Sequence, residues 1–186
     1  SGTAARRAGT RYGLAHSHPD GDMIRIVTGS SCDLPDDAIS QNRIEVVPLT
    51  IRFGEDELVD REELSSQEFW RRLTTGGVHP ETAAPSVGRF QQAFTRLVSS
   101  GADGIVVIGI SSKISATMQA ATLAADQFTA GVPLRLVDSQ LVSAALGLAV
   151  ISAAEVAAAG GTIDEVEAAA RNACSRGRIF TSPDTL

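Results

Sequence analysis

GIVVIGISSKISATMQ, the stretch from Gly104 to Gln119, joins a continuous apolar run to a segment that is crowded with hydroxyl side chains. The apolar run is short, rich in β-branched residues and bounded by glycines, which is typical of a strand that is buried on both faces. Such strands occur mainly in parallel sheets that are covered by helices on both sides. The stretch therefore predicts a buried parallel strand that leads directly into a helix.

Strand-like and helix-like segments alternate along the rest of the chain. The predicted strands are residues 23–28, 44–53, 104–110, 132–137 and 178–181. The predicted helices begin near residues 35, 65, 85, 115, 141 and 162. Pro48 predicts that the second strand is interrupted or lies at an edge of the sheet, because proline cannot donate a ladder hydrogen bond. This alternation predicts an α/β fold, with a mostly parallel sheet and helices on both faces.

The 186 residues of the chain are enough for one ordinary domain with a core of its own. Aromatic residues make up only 4% of the chain, so we expect a core of small aliphatic side chains. Residues 1–22 lack the apolar stretch of a secretory signal and resemble a leader or a tag-like, disordered tail. We therefore assign residues 23–186 to a single α/β domain. Its alanine-rich helix at 141–159 is too weakly hydrophobic to make it an integral membrane protein.

Charge and motif content argue against several classes of function. The formal net charge of −6 argues against nucleic acid as a partner. Cys32 and Cys174 lie far apart and match no disulfide framework, which indicates a reduced, cytoplasmic location. The sequence contains no cluster with metal-ligand spacing and neither of the glycine-rich nucleotide-binding motifs. We therefore expect no metal and no cofactor.

Three predicted strands end in hydroxyl side chains. The endings are Thr28-Gly-Ser-Ser31, Ile110-Ser-Ser112 and Val137-Asp-Ser139. The carboxyl ends of parallel strands lie along one edge of the sheet, where ligands bind in open α/β folds. The helix N-termini at that edge present free N–H groups and the positive end of the helix dipole. We therefore expect the edge to hold a carboxylate or a phosphate.

Two other interpretations of these hydroxyl groups stay open. One is helix capping, for which a single serine or threonine suffices and which we favour for Ser86. The other is a serine hydrolase that uses Ser111 or Ser112 as its nucleophile. Lys113 stands where a nucleophile elbow has its second glycine, which argues against a hydrolase. His79 is the one candidate base outside the tail, and a lone surface histidine is weak support for catalysis.

Five segments of the sequence, taken together, resemble the DegV family of bacterial proteins. They are Ile26-Val-Thr-Gly-Ser-Ser-Cys-Asp-Leu-Pro35, Val47-Pro-Leu-Thr-Ile51, Thr82-Ala-Ala-Pro-Ser86, Ile110-Ser-Ser-Lys-Ile-Ser-Ala-Thr117 and Val137-Asp-Ser-Gln-Leu-Val-Ser143. The first is similar to the V-T-D-S-x-x-D-L-P opening of that family, and the fourth to its I-S-S-x-L-S-G-T segment. Each match is weak alone, but all five occur in the family's order and at its rough spacing, which makes the resemblance specific.

The resemblance implies a protein that binds a long-chain fatty acid and is not an enzyme, with the fatty acid as its ligand and no cofactor. It implies that Thr82 and Ser115 hold the acyl carboxylate, with Ser112 and Ser30 at the same edge. It also implies a fatty acid kinase as a partner that phosphorylates the bound carboxylate. The alternatives are the serine hydrolase and a regulatory or interaction domain that binds no lipid.

The resemblance further implies a second domain after this one. Residues 179–186 resemble the segment that leads into the second domain of the family, and the sequence stops there. We therefore expect a truncated protein or a first-domain piece. Such a piece would oligomerise through the face that the second domain covers.

Overall fold

Strands and helices alternate in the computed structural model, which describes residues 23–180. The strands are β1 (Ile24–Gly29), β2 (Glu45–Val47), β3 (Thr50–Phe53), β4 (Asp56–Val59), β5 (Glu81–Ala83), β6 (Gly104–Gly109) and β7 (Leu134–Asp138). The helices are α1 (Asp36–Gln41), α2 (Ser66–Thr75), α3 (Val87–Ser99), α4 (Thr117–Asp126), α5 (Ser143–Ala158) and α6 (Ile163–Arg176). The tail predicted for residues 1–22 lies outside the described residues.

A four-stranded parallel sheet with the order β2-β1-β6-β7 forms the centre of the described chain. Helices α3 and α4 pack on one face of this sheet, and α5 and α6 pack on the other. The predicted α/β fold, with a mostly parallel sheet and helices on both faces, is therefore confirmed. Among residues 23–180, no helix is both long enough and apolar enough to cross a membrane.

The central strand β6 is buried along its whole length, as its apolar sequence predicts. Ile105 and Val107 belong to the core cluster beneath α3 and α4, whereas Val106 and Ile108 belong to the cluster beneath α5 and α6. Successive side chains of a strand point to opposite faces, so a strand between two helix layers has to be apolar at every position. The buried strand β6 therefore holds the following loop, residues 110–116, at the carboxyl edge of the sheet.

A second, antiparallel sheet with the order β4-β3-β5 was not predicted from the sequence. The predicted strand at 44–53 is divided at Pro48, because β2 belongs to the parallel sheet and β3 to the antiparallel one. The interruption at Pro48 is thus confirmed, and β2 is also an edge strand. Strand β5 is exposed at all of its residues, so it carries no hydrophobic pattern from which it could be recognised.

The strand predicted at 178–181 is wrong for the residues that the structure describes. Residues 177–180 form neither helix nor strand, and the side chain of Phe180 is 92% exposed. Arg178, Ile179 and Phe180 have the composition of a strand, but they pair with no strand among the described residues. Residues of this composition form a strand only where the fold provides a neighbouring strand.

Candidate functional site

The three hydroxyl-bearing strand ends meet at one edge of the parallel sheet, as predicted from the sequence. Strands β1, β6 and β7 are adjacent and parallel, so their carboxyl ends point the same way. Ser111 N donates to Leu141 O at 3.0 Å, and Ser139 N donates to Gly109 O at 3.1 Å. We call the serine and threonine side chains of these ends the hydroxyl edge; its members are Ser30, Ser31, Ser111, Ser112, Ser115, Thr117 and Ser139.

Ser30 connects the hydroxyl edge to the antiparallel sheet. It lies in the 3-10 turn Ser30–Cys32 directly after β1 and is only 2% exposed. Its Oγ accepts a hydrogen bond from Leu49 N at 3.1 Å. Leu49 lies between β2 and β3, so this bond holds the junction of the two sheets. The visible role of Ser30 is therefore structural.

Ser112 is held by the carboxylate of Asp138. Ser112 Oγ donates to Asp138 Oδ2 at 2.5 Å, and Ser112 N donates to Asp138 Oδ1 at 3.1 Å. Gln140 also donates to this carboxylate, through its backbone N at 3.2 Å and through its side-chain amide. A serine has one hydroxyl proton, and that of Ser112 is engaged by Asp138. In this geometry Ser112 offers only lone pairs to a ligand, which does not favour contact with an anion.

Hydrogen bonds stabilise the ionised form of the Asp138 carboxyl group. Partial burial raises its pKa, but hydrogen bonds from Ser112 and Gln140 outweigh burial and bring the pKa below its ordinary value. Asp138 also lines a cavity of about 430 Å³ between β7 and α6, where Arg171 is paired with Glu167 at 2.7 Å and Arg178 donates to Ser175 O and Gly177 O. A negative carboxylate at this position repels a second one. An anionic ligand is therefore favoured on the α4 side of the hydroxyl edge.

On the α4 side, Ser115 and Thr117 form a pair of hydroxyl groups at the start of the helix. Ser115 Oγ accepts a hydrogen bond from Thr117 N at 3.2 Å and lies 2.9 Å from Thr117 Oγ1. When Thr117 donates in the second contact, Ser115 accepts two bonds and keeps its own proton for a ligand. Within residues 23–180, no side chain caps α4 at its N-cap residue Ala116. This helix end thus combines a half-buried hydroxyl donor with the positive end of a helix dipole.

Thr82 belongs to the antiparallel sheet, whereas the hydroxyl edge belongs to the parallel sheet. It is an exposed residue of β5, opposite Ile51 of β3. With Thr50, Arg52 and neighbouring residues of β5 it lines a small cavity of about 80 Å³. No hydrogen bond in the described part of the chain joins Thr82 to Ser115. The structure therefore places one predicted carboxylate ligand at the start of α4 and the other on the antiparallel sheet.

Ser31 was not singled out by the sequence analysis as a ligand, although it belongs to one of the three strand ends. Its Oγ is buried and has no hydrogen-bond partner within residues 23–180. Because buried hydroxyl groups are nearly always hydrogen-bonded, this one requires an explanation. The sequence signal was the pair of serines after β1, of which Ser30 is engaged by Leu49 and Ser31 is not.

The contacts of the two candidate nucleophiles do not resemble those of a hydrolase. Ser111 is 5% exposed, and its Oγ accepts a hydrogen bond from Lys113 N at 3.3 Å. Ser112 contacts Asp138 directly, whereas a catalytic triad places a histidine between serine and carboxylate. His79 is exposed in the segment between α2 and β5, and no hydrogen bond among the described residues joins it to either serine.

Comparison with known proteins identifies the relatives of this chain. Residues 23–186 match the family model described as "Uncharacterised protein, DegV family". The chain is 37% identical over 164 residues to a DegV domain-containing protein of Streptomyces coelicolor, a match that covers 88% of this chain and 57% of that protein. It is 36% identical over 160 residues to one of Mycobacterium tuberculosis, which covers 86% of this chain and 54% of that protein.

Solved structures of similar fold lead to the same group of proteins. A DegV family protein from Thermus thermophilus, described as binding fatty acid, superposes with a TM-score of 0.72 at 31% identity and matches 82% of this chain and 54% of that one. A DegV lipid-binding protein from Thermotoga maritima superposes with a TM-score of 0.73 at 28% identity, again over 82% of this chain and 54% of that one. The chain thus spans a little over half the length of these proteins. By its sequence and its fold, this chain belongs to the DegV family.

Proposed function

We propose that the protein binds a long-chain fatty acid and holds the acyl carboxylate at the start of α4, with Ser115 as the principal donor. The observation that carries the proposal is the geometry of Ser115, whose oxygen is within hydrogen-bond distance of both Thr117 N and Thr117 Oγ1. The relatives support the class of ligand, since the Thermus protein is described as binding fatty acid.

The chemistry of the hydroxyl edge suits a carboxylate. A carboxylate that leaves water has to receive several hydrogen bonds, and bonds to an ionised acceptor are stronger than neutral ones. The Ser115 hydroxyl and the N–H groups of α4 that follow Thr117 supply such donors. These donors carry no full positive charge, so we infer that they hold the head group without a strong ion pair that would hinder its release to a partner.

The acyl tail supplies most of the affinity in this proposal. Each buried methylene group contributes about 0.8 kcal/mol. Ile114 directly precedes Ser115 and is 64% exposed, so an apolar surface adjoins the head-group site. Because the match covers only 54% of the Thermus protein, we propose that a further domain completes the tail slot in a full-length protein. We also propose that this chain by itself self-associates through the exposed apolar residues beside the site.

The finer parts of the proposal concern partners and location. We retain Thr82 as a second carboxylate ligand, because the resemblance to the family implies it and its exposed position leaves the hydroxyl accessible. We also retain a fatty acid kinase as the partner that acts on the bound carboxylate. A cytoplasmic location accords with Cys32 and Cys174, which are free thiols in the described structure.

Ligand-linked stabilisation tests the proposal. Palmitate should raise the melting temperature of the wild-type protein, because a ligand that binds only the native state stabilises it. Ser115→Ala and Thr82→Ala should both reduce this shift. Ser86→Ala is the matched control, since Ser86 Oγ caps α3 by accepting from Arg89 N at 3.3 Å. The control should lose about 1 kcal/mol of stability and keep the full palmitate shift.

Two results would contradict the proposal. One is a wild-type protein that carries no lipid in native mass spectrometry and shows no thermal shift with palmitate. The other is a palmitate shift that Ser115→Ala leaves unchanged, which would restrict Ser115 to a structural role at the start of α4. Labelling of Ser111 or Ser112 by an active-site serine probe would favour the hydrolase instead.

A further inference from the structure

We infer that Ser31 donates a hydrogen bond to the head group of the ligand and makes the site selective for an ionised carboxylate. This inference rests on the proposed function, and it adds a residue to which the sequence analysis assigned no ligand role. The starting observation is the Ser31 Oγ, which is buried and lacks a hydrogen-bond partner within residues 23–180. Ser31 follows Ser30 in the 3-10 turn after β1, on the central part of the sheet edge.

The space around Gly29 connects Ser31 to the proposed carboxylate site. A Cβ atom at Gly29 would lie 3.5 Å from Ser31 Oγ and 3.8 Å from Thr117 Cγ2. Thr117 in turn contacts Ser115 through its hydroxyl at 2.9 Å. Gly29 has an extended backbone, with φ at −92°, so its importance here is the missing side chain and not its conformation. Gly29 therefore lies between Ser31 and Thr117, whose methyl group faces this space while its hydroxyl contacts Ser115.

The partners of the neighbouring hydroxyls explain why an anionic oxygen suits Ser31. The Thr28 hydroxyl donates to Ile108 O at 2.8 Å, and that of Ser112 donates to Asp138. On the α4 side, next to the start of a helix, the Ser31 hydroxyl has no partner within residues 23–180, and the Ser115 hydroxyl is free to donate when Thr117 donates to it. A carboxylate presents two oxygens that only accept hydrogen bonds. Ser115 would bind one oxygen and Ser31 the other, which completes the hydrogen bonding of Ser31.

The same geometry predicts selectivity between head groups. A primary alcohol of equal chain length has one oxygen and no charge, so it cannot accept from both serines as strongly as a carboxylate can. The preference of the protein for palmitate over 1-hexadecanol should therefore depend on Ser31. A role in packing alone would affect the two ligands equally, because their acyl chains have the same length.

Competition binding against a fluorescent fatty acid tests the inference with four proteins: wild type, Ser31→Ala, Ser31→Thr and Ser100→Ala. We expect Ser31→Ala to weaken palmitate binding about tenfold, as for loss of one hydrogen bond to a charged group. Its binding of 1-hexadecanol should change little. Ser31→Thr retains the hydroxyl and should restore palmitate affinity. Ser100→Ala is the control, because its hydroxyl donates to Leu97 O at 2.8 Å just after α3, at the opposite end of the sheet.

Stability of the ligand-free variants separates ligand binding from folding. Ser31→Ala should melt at the wild-type temperature or above it, since the variant removes a buried hydroxyl that has no partner. Equal palmitate affinity of wild type and Ser31→Ala, with weaker binding by Ser115→Ala, would overturn the inference and leave the proposed function standing. A wild-type protein that binds neither ligand would overturn the proposed function and this inference with it.

Discussion

At the scale of single residues, the hydroxyl edge contains side chains of two kinds. Ser30 and Ser112 are engaged by the protein itself, through Leu49 N and the Asp138 carboxylate. Ser139 likewise accepts from Leu141 N at 3.0 Å. The Ser31 hydroxyl has no partner within residues 23–180, and Ser115 contacts Thr117 Oγ1 in an arrangement in which either hydroxyl can donate. The same residue type at the same edge thus serves either to join the strand ends or to face a ligand.

Asp138→Asn should destabilise the protein by roughly 1–2 kcal/mol near neutral pH, because the hydrogen bonds to the charged acceptor are weakened. The pKa of Asp138 is lower in the folded protein than its ordinary value. Its contribution is therefore present above the unfolded pKa of about 4 and is lost as the pH falls through the folded pKa. Urea unfolding at pH 7 and at a series of pH values below about 4 measures this difference.

The difference between wild type and Asp138→Asn should become smaller as the pH falls, because the wild-type carboxylate is then protonated. A difference that stays constant over the whole range would show that the charge of Asp138 contributes nothing to its role. Asp37→Asn is a suitable control, since Asp37 is exposed and its carboxylate accepts, within residues 23–180, only from its neighbour Ala38 N, at 2.8 Å.

At the scale of secondary structure elements, Ser65-x-x-Glu68 and Thr162-x-x-Glu165 both have the sequence of a capping box, but the two helix starts differ. The box at the start of α6 is complete, with Thr162 N donating to Glu165 Oε2 at 2.8 Å and Glu165 N donating to Thr162 Oγ1 at 3.4 Å. At the start of α2, Ser65 Oγ accepts from Glu68 N at 3.2 Å, but the return bond is missing. Hydrogen bonds from Arg71 and Arg72 engage the Glu68 carboxylate and lower its pKa to about 2.

Thr162→Ala should reduce the free energy of unfolding by about 1 kcal/mol, because the lost cap belongs to a helix that is part of the core. Helix α6 contributes Val166 and Ala170 to the core beneath the sheet. Ser65→Ala removes a similar cap from α2, which has no buried residue, and should leave global stability nearly unchanged. Urea unfolding compares the two variants, and hydrogen exchange should detect local opening of α2 in the second. Equal losses in both would mean that α2 folds as one unit with the core.

At the scale of the whole molecule, one parallel sheet separates two apolar cores. The core beneath α3 and α4 contains the buried aromatic rings of the described chain, Phe90 and Phe94, and Phe128 packs against it. The ring centroids of Phe94 and Phe128 lie 5.4 Å apart, with the two rings in an edge-to-face arrangement. The core beneath α5 and α6 contains no phenylalanine among the described residues and is built from aliphatic side chains and Cys32.

Phe94→Ala should destabilise the protein by about 3–5 kcal/mol, because it leaves a cavity in a densely packed layer. Phe94 is 0% exposed, so little solvent reaches the site to compensate for the lost contacts. Phe180→Ala is the control, because that ring is 92% exposed, and it should change stability by less than about 0.5 kcal/mol. Denaturant unfolding measures both variants; a loss below about 1 kcal/mol for Phe94→Ala would contradict the role assigned to this core.

The sequence alone determined the central sheet, its helix layers and the edge at which its hydroxyl side chains gather. These features follow from local patterns: apolar runs at β6, capping residues before helices, and the rule that parallel strands end at one edge. Only the tertiary structure decided that Pro48 divides two sheets, that Ser112 binds Asp138 and that the hydroxyl of Ser31 lacks a partner among residues 23–180. The bond between Ser112 and Asp138 joins residues that lie far apart in the chain. The hydrogen bonding of Ser31 depends on the space around that residue. Local sequence patterns encode neither, because each depends on how distant segments pack together.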